Sequence, residues 1–201
     1  MPIKHIRLAT EADRNDVNRL RTEEYNRSSE FELRDQNAIL WKHGYVMGAW
    51  NGNRLVATMQ LEIARSKETA EQILGVPLPN LENFFPTVVL SRAATCRDYR
   101  GFGLNSALRY YCLTNAKDVN SIMGGVYQGA PRTGVMGRIG YEFIPLQSSW
   151  TAGIHAKVES QLALLRRAGF ELAIGELKKI ASHALVEYEW QGMQRPLCYK
   201  N

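Results

Sequence analysis

Asn51-Gly52-Asn53 separates two runs rich in strand formers, Tyr45–Trp50 and Arg54–Ala64. An Asn-Gly turn between such runs predicts a β-hairpin, because both residues tolerate the left-handed backbone that a tight hairpin needs. A chain with this hairpin builds an antiparallel sheet. Around it the periodicity predicts a strand over Ile3–Ala9 and a helix from Glu11 to about Arg27, opened by Thr10 with Asp13 three residues on. Ser28–Leu40 is polar and acidic and reads as a loop or broken helix. After the hairpin come a short helix, Glu68–Leu74, and a strand, Thr87–Ala94. A turn over Asp98–Gly103 precedes a helix over Leu104–Lys117. Then follow a strand, Ser121–Tyr127, a short helix, Pro131–Ile139, and a strand, Tyr141–Pro145. From Gly153 two amphipathic segments predict further helices, one carrying Ile154, Val158, Leu162 and Leu165, the next Leu177, Ile180, Ala184 and Tyr188. The order is that of an α/β domain on one mixed, mostly antiparallel central sheet flanked by helices.

At 201 residues, with 45% hydrophobic and 22% charged residues, one globular domain over 1–201 is expected, its core over about 3–145 and a helical extension over about 153–201. No apolar run approaches the roughly 20 residues of a membrane span. Charges near the start argue against a signal peptide. Cys96, Cys112 and Cys198 are scattered and odd in number, which fits a reducing, cytoplasmic compartment. His5, His43, His155 and His183 lack ligand spacing, so no metal is expected. The net charge of +5 favours an acidic partner. The basic residues are not interleaved with aromatics, which argues against nucleic acid.

The chemistry is concentrated in Arg100-Gly101-Phe102-Gly103-Leu104-Asn105, between a predicted strand and a predicted helix. Glycines allow close backbone approach and the free amides of a helix start attract anions, so the segment fits a phosphate cradle. A plain tight turn needs the same glycines. The third glycine of a dinucleotide fold is missing.

The stretch Asp98–Leu108 resembles the pyrophosphate-binding motif of the GNAT acyltransferases, with Asn105 where that superfamily has Gly or Ala. Met136-Gly137-Arg138-Ile139-Gly140-Tyr141-Glu142 resembles its later Tyr-x-Lys-x-Gly-Phe segment, with Met136 where a tyrosine often protonates the leaving thiolate. Val89-Leu90-Ser91-Arg92 resembles the Glu-x-Ser-Arg strand of acyl-homoserine lactone synthases, Arg21-x-x-x-Tyr25 their Arg-x-x-x-Phe helix motif, and Glu30-x-Glu32-x-x-Asp35 their acidic loop. Val89 stands where those enzymes have glutamate and Gln60 where they have an arginine, which implies a different acceptor. The pattern is similar to the long-chain N-acyl amino acid synthases.

What the resemblance implies is a GNAT fold and an N-acyltransferase. It would take a long-chain acyl group from the phosphopantetheine of an acyl carrier protein, or from coenzyme A, to the α-amino group of an amino acid such as tyrosine. No permanently bound cofactor is implied. The donor would lie on Val89 and Leu90, with its phosphate on Arg100, Gly101, Phe102, Gly103, Leu104 and Asn105. Glu30, Asp35 and Arg92 would be catalytic, with Glu30 or Asp35 as base. Arg21, Tyr25, Glu32 and Gln60 would line the acceptor side, and Arg97, Arg132 and Arg138 would meet the carrier protein. Blander readings stay open: Arg92 also fits a structural ion pair, and the acidic residues a solvated face. A coenzyme-A-dependent acetyltransferase of a small amine or peptide, and a non-catalytic acyl-binding module, are the alternatives.

Overall fold

A computed structural model describes residues 5–28, 44–130, 132–152, 156–182 and 189–191. The hairpin forms as expected, β2 (Gly44–Asn51) pairing antiparallel with β3 (Arg54–Ala64), and Gly52 takes a φ of 58° in the turn. The remaining strands are β1 (His5–Leu8), β4 (Thr87–Thr95), β5 (Ser121–Tyr127), β6 (Glu142–Ala152), β7 (Ala156–Arg166) and β8 (Glu189–Gln191). They join in one eight-stranded sheet of order β6-β7-β5-β4-β3-β2-β1-β8. The β4–β5 and β1–β8 pairs are parallel and the others antiparallel.

The helices are α1 (Arg14–Ser28), α2 (Lys67–Leu74), α3 (Leu104–Asn115), α4 (Thr133–Arg138) and α5 (Phe170–Ile180). β3 is central and buried along nearly its whole length. Its alternation assigns Ala57, Met59 and Leu61 to one face, where they share a core with Leu104, Ala107 and Leu108 of α3. Gln60, Glu62 and Ala64 belong to the other face, and α1 reaches it through Arg21. A second apolar cluster joins Ala64, Val89 and Met123 to Ala70 of α2.

Two irregularities shape the centre of the sheet. First, the parallel β4–β5 ladder pairs only Thr87 with Ser121, Val88 with Ile122 and Val89 with Met123, leaving both strands unpaired with each other beyond that point. Second, β4 carries a bulge: Gln60 pairs with Ser91 and Thr58 with Ala94, so Met59 alone faces both Arg92 and Ala93. Arg92 absorbs the extra residue with a φ of 47°, in the left-handed region.

The C-terminal part departs from expectation. The first amphipathic segment after Gly153 is a strand where the spacing predicts a helix: β7 runs from Ala156 to Arg166 between β5 and β6. Leu162 and Leu164 enter one core and Ala163 and Leu165 the other, so the run is apolar because both faces are covered. Such a run mimics one helical face. The second segment is helical as far as α5 reaches, to Ile180, while Ala184 and Tyr188 lie outside the described residues. β6 extends beyond Pro145 to Ala152, and the proline sits beside an irregularity on this edge strand, where a missing amide is tolerated. Ser28 closes α1, while residues 29–43 lie outside the described residues.

α1 is tied to β1 at its start. Arg7 donates to both carboxylate oxygens of Asp13 at 2.7 and 2.8 Å, and Thr10 donates to Asp13 Oδ2 through its amide (2.7 Å) and hydroxyl (2.9 Å). These donors hold the Asp13 carboxyl well below the usual carboxylate range. The stabilisation is therefore complete above the unfolded pKa near 4 and is lost as pH falls below it towards the folded value. Asp13→Asn should cost about 1–3 kcal/mol in urea unfolding at pH 7. The gap to the parent should narrow below about pH 4; a gap independent of pH would contradict this role.

Candidate active site

The cradle expected from the sequence lies where β4 hands over to α3. A short 3-10 turn, Arg97–Tyr99, leads to Gly101 and Gly103, both left-handed with φ of 84° and 72°. Helical bonding begins with the Ala107 amide donating to the Gly103 carbonyl at 2.8 Å, so the amides of Leu104, Asn105 and Ser106 have no acceptor inside the helix. Among the described residues no side chain caps this N-terminus. The Asn105 side chain does not take that place either: its Oδ1 accepts from Arg109 Nε at 3.0 Å. The row of amides is thus suited to an anion. Phe102 stands exposed at the turn, and a Cβ on Gly101 would meet open space. A Cβ on Gly103 would face the end of α5, 3.5 Å from the Ile180 carbonyl and Ala181 Cα.

Arg100 is drawn back from the amides. Its Nη2 donates to Glu24 Oε2 at 3.0 Å and its Nε to the Thr95 carbonyl at 3.4 Å, while Glu24 Oε1 accepts the Arg97 amide at 3.2 Å. Glu24 is 4% exposed and stands one helical turn after Arg21, so one face of α1 holds both the cradle and the sheet.

Beside the bulge lies a buried polar layer in otherwise apolar strands. Arg21, 2% exposed, donates through Nη1 to Gln60 Oε1 at 3.3 Å. Arg92 Nη1 lies 3.8 Å from Glu62 Oε2, and Glu62 is 2% exposed. Ser91 sits directly across from Gln60 in the β3–β4 register, and Val89 directly across from Glu62. Position 89 is where the resemblance expects a carboxylate; the neighbouring strand supplies one on the same face. Sequence reasoning missed Glu62 as it missed Glu24. The available signal was a charge in the middle of Leu55–Ala64, a run whose other members are largely apolar.

The arginines expected to meet a partner divide into two groups. Arg97 and Arg100 follow the C-terminal end of β4, and Arg132 and Arg138 follow that of β5. Because β4 and β5 are parallel, both groups emerge at the same end of the sheet, on either side of the gap between the strands. Arg97, Arg132 and Arg138 are exposed, and Arg132 Nη2 reaches the Gly125 carbonyl at 3.5 Å. Met136 is buried and has no proton to give. Tyr141, also buried, has its hydroxyl pushed upward in pKa by burial, against the opposing effect of Arg109, which donates to it at 3.3 Å. Tyr25 lies on α1 with its side chain outside the described residues, as are Glu30, Glu32 and Asp35 entirely. Among the described residues no group of three or more His, Cys, Asp or Glu could hold a metal ion, and no helix is long and apolar enough to cross a membrane.

No protein-family model and no curated protein matches the chain. Solved structures do. The coenzyme-A-dependent acyl-homoserine lactone synthase BjaI superposes with a TM-score of 0.60 at 15% identity, over 94% of each chain. FeeM, an N-acyl amino acid synthase from uncultured soil microbes, gives 0.60 at 12% identity over 92% of this chain and 99% of its own. An N-acetyltransferase from Staphylococcus aureus Mu50 gives 0.59 at 13% identity, over 81% and 96%. The chain has the GNAT acyltransferase fold. Within this GNAT fold the cradle, the gap between β4 and β5, and the polar layer beside the bulge are contiguous along one strand, since β4 carries Val89, Ser91 and Arg92 and ends four residues before Tyr99.

Glu24→Gln tests whether the buried carboxylate positions the cradle of this GNAT domain. On the reading that the α3 amides hold a coenzyme A phosphate, affinity for coenzyme A measured by calorimetry should weaken about three- to tenfold, equivalent to about 0.7–1.4 kcal/mol. Unchanged affinity would reduce the Glu24–Arg100 contact to a structural pair.

Proposed function

We propose that the protein is an N-acyltransferase that moves a long-chain acyl group from the phosphopantetheine thioester of an acyl carrier protein to the α-amino group of an amino acid, with tyrosine the first acceptor to test. The observation that carries this reading is the uncapped row of α3 amides behind two left-handed glycines, opening beside the gap between β4 and β5. An anionic carrier arm held there directs its thioester along β4 towards the polar layer. The structural likeness to BjaI and FeeM supports acyl transfer as the reaction class.

In this reading the donor phosphate rests on the amides of Leu104, Asn105 and Ser106, and the pantetheine follows Val89 and Leu90. A backbone amide near the β4 bulge polarises the thioester carbonyl. The acceptor amine attacks that carbon, the C–N bond forms, the C–S bond breaks, and the departing sulfur takes up the proton that the attacking nitrogen gives up, leaving as the free pantetheine thiol. Alignment of the two reactants supplies about 7–11 kcal/mol of the barrier reduction, so no nucleophilic side chain is needed. An α-amino group with a reference pKa near 8 must shed a proton before attack. Glu62 is the buried carboxylate beside Arg92 and takes that proton, a role earlier assigned to Glu30 or Asp35. Arg92 orients Glu62.

The arginines at the mouth of the gap suit an acidic carrier protein. Their attraction acts mainly on association and is screened over about 10 Å at roughly 0.1 M salt. Burial of the acyl chain adds about 0.8 kcal/mol per methylene, which favours long chains over acetyl.

The deciding experiment offers matched carrier-protein and coenzyme A thioesters of two and twelve carbons, with tyrosine, at low and high salt. The long-chain carrier thioester should be the best donor and lose its advantage as salt rises. Equal use of acetyl coenzyme A with no salt dependence would instead favour a small-molecule acetyltransferase, and no turnover with any thioester a binding module. Glu62→Gln should lower kcat at least about 100-fold with KM for the donor nearly unchanged. Retention of kcat within threefold would remove Glu62 from the chemistry.

A further inference from the structure

Two polar atoms in the layer beside the bulge have no hydrogen-bond partner among the described residues: Gln60 Nε2 and Ser91 Oγ. Gln60 is completely buried, and these two residues stand directly across from each other in the β3–β4 register. Cross-strand neighbours on one face hold their Cβ atoms about 4.5–5.5 Å apart. The Gln60 amide orientation is set by Arg21, whose Nη1 donates to Oε1, so Nε2 remains a donor. Ser91 Oγ also carries a proton to give. A buried donor left without an acceptor is costly, and the cost disappears when a ligand brings one.

The ligand atoms that fit two adjacent donors are oxygens that accept only. A carboxylate provides two, separated by little more than 2 Å, and gains further from the guanidinium groups of Arg21 and Arg92 next to the pair. One pleat further along the same face stands Glu62, its Cα about 6–7 Å from that of Gln60. That side of the subsite suits an ammonium group. We propose that Gln60 and Ser91 bind the carboxylate of the acceptor while Glu62 receives its amino group, making the acceptor a free α-amino acid rather than a simple amine or a peptide N-terminus. This rests on the assignment of the polar layer to the acceptor side.

The inference is read by binding, without turnover. Ligand-observed NMR on the full chain compares tyrosine with tyramine and tyrosinamide, and leucine with isoamylamine. At least one amino acid should bind ten or more times tighter than its amine and its amide. In the double variant Gln60→Met, Ser91→Ala this preference should fall to threefold or less. Should the double variant fail to fold, Ser91→Ala alone should reduce the preference at least threefold. Equal affinities across each set in the parent, no binding by any of the compounds, or a preference that survives the variants would overturn the proposal. Acyl transfer to these compounds is scored separately. Transfer without carboxylate preference defeats the subsite and spares the transferase, whereas preference without transfer does the reverse.

Discussion

The extra residue in β4 is the constraint around which the rest of the site is arranged. Regular pairing on both sides, Gln60 with Ser91 and Thr58 with Ala94, traps Arg92 at a φ of 47°. A non-glycine residue in that region costs about 1–3 kcal/mol and persists only where its surroundings over-determine it. Here they do: β3 is buried along nearly its whole length and cannot shift register without moving Gln60 and Glu62 to the apolar face. The bulge re-aims Arg92 towards Glu62 and breaks the regular course of β4 just beyond the point where its ladder with β5 ends. A strained backbone, a gap in the sheet and a buried ionic layer therefore arise together.

α1 connects that centre to the cradle. Its first turn is bound to β1 through Arg7 and Asp13, its middle reaches Gln60 through Arg21, and one turn later Glu24 grips Arg97 and Arg100. A buried Arg and a buried Glu on one helix are unfavourable without partners. Each has its partner on a different element, so the helix fixes the distance between the glycine turn and the polar layer. This arrangement explains why α1 buries Arg21 and Glu24 as well as the apolar Val17 and Leu20.

The hairpin at Asn51–Asn53 and the glycine turn before α3 were legible because each depends on local backbone chemistry: Gly52, Gly101 and Gly103 take the left-handed conformations that their turns demand. β7 was not, because Leu162-Ala163-Leu164-Leu165 is apolar on both sides and period alone cannot separate a doubly covered strand from a helix. Nor was the carboxylate of the site. The resemblance directs attention to position 89, where valine stands, and only the strand register shows Glu62 across from it. Ser91 and Glu24 escaped notice for the same reason, since pairing and helix phase assign their roles. Val89, Gln60, Arg21 and Arg92 do converge, while Glu30, Glu32 and Asp35 lie outside the described residues.

The proposed acyl transfer requires a donor between β4 and β5 with its phosphate on the start of α3. The most direct measurement is a crystal structure with the thioether analogue of dodecanoyl coenzyme A, which cannot be cleaved. Density for a phosphate within hydrogen-bonding reach of the Leu104–Ser106 amides, with the pantetheine running past Val89 and Leu90, is the predicted result. An analogue bound elsewhere on the protein, with those amides facing solvent and the gap unchanged, would contradict it.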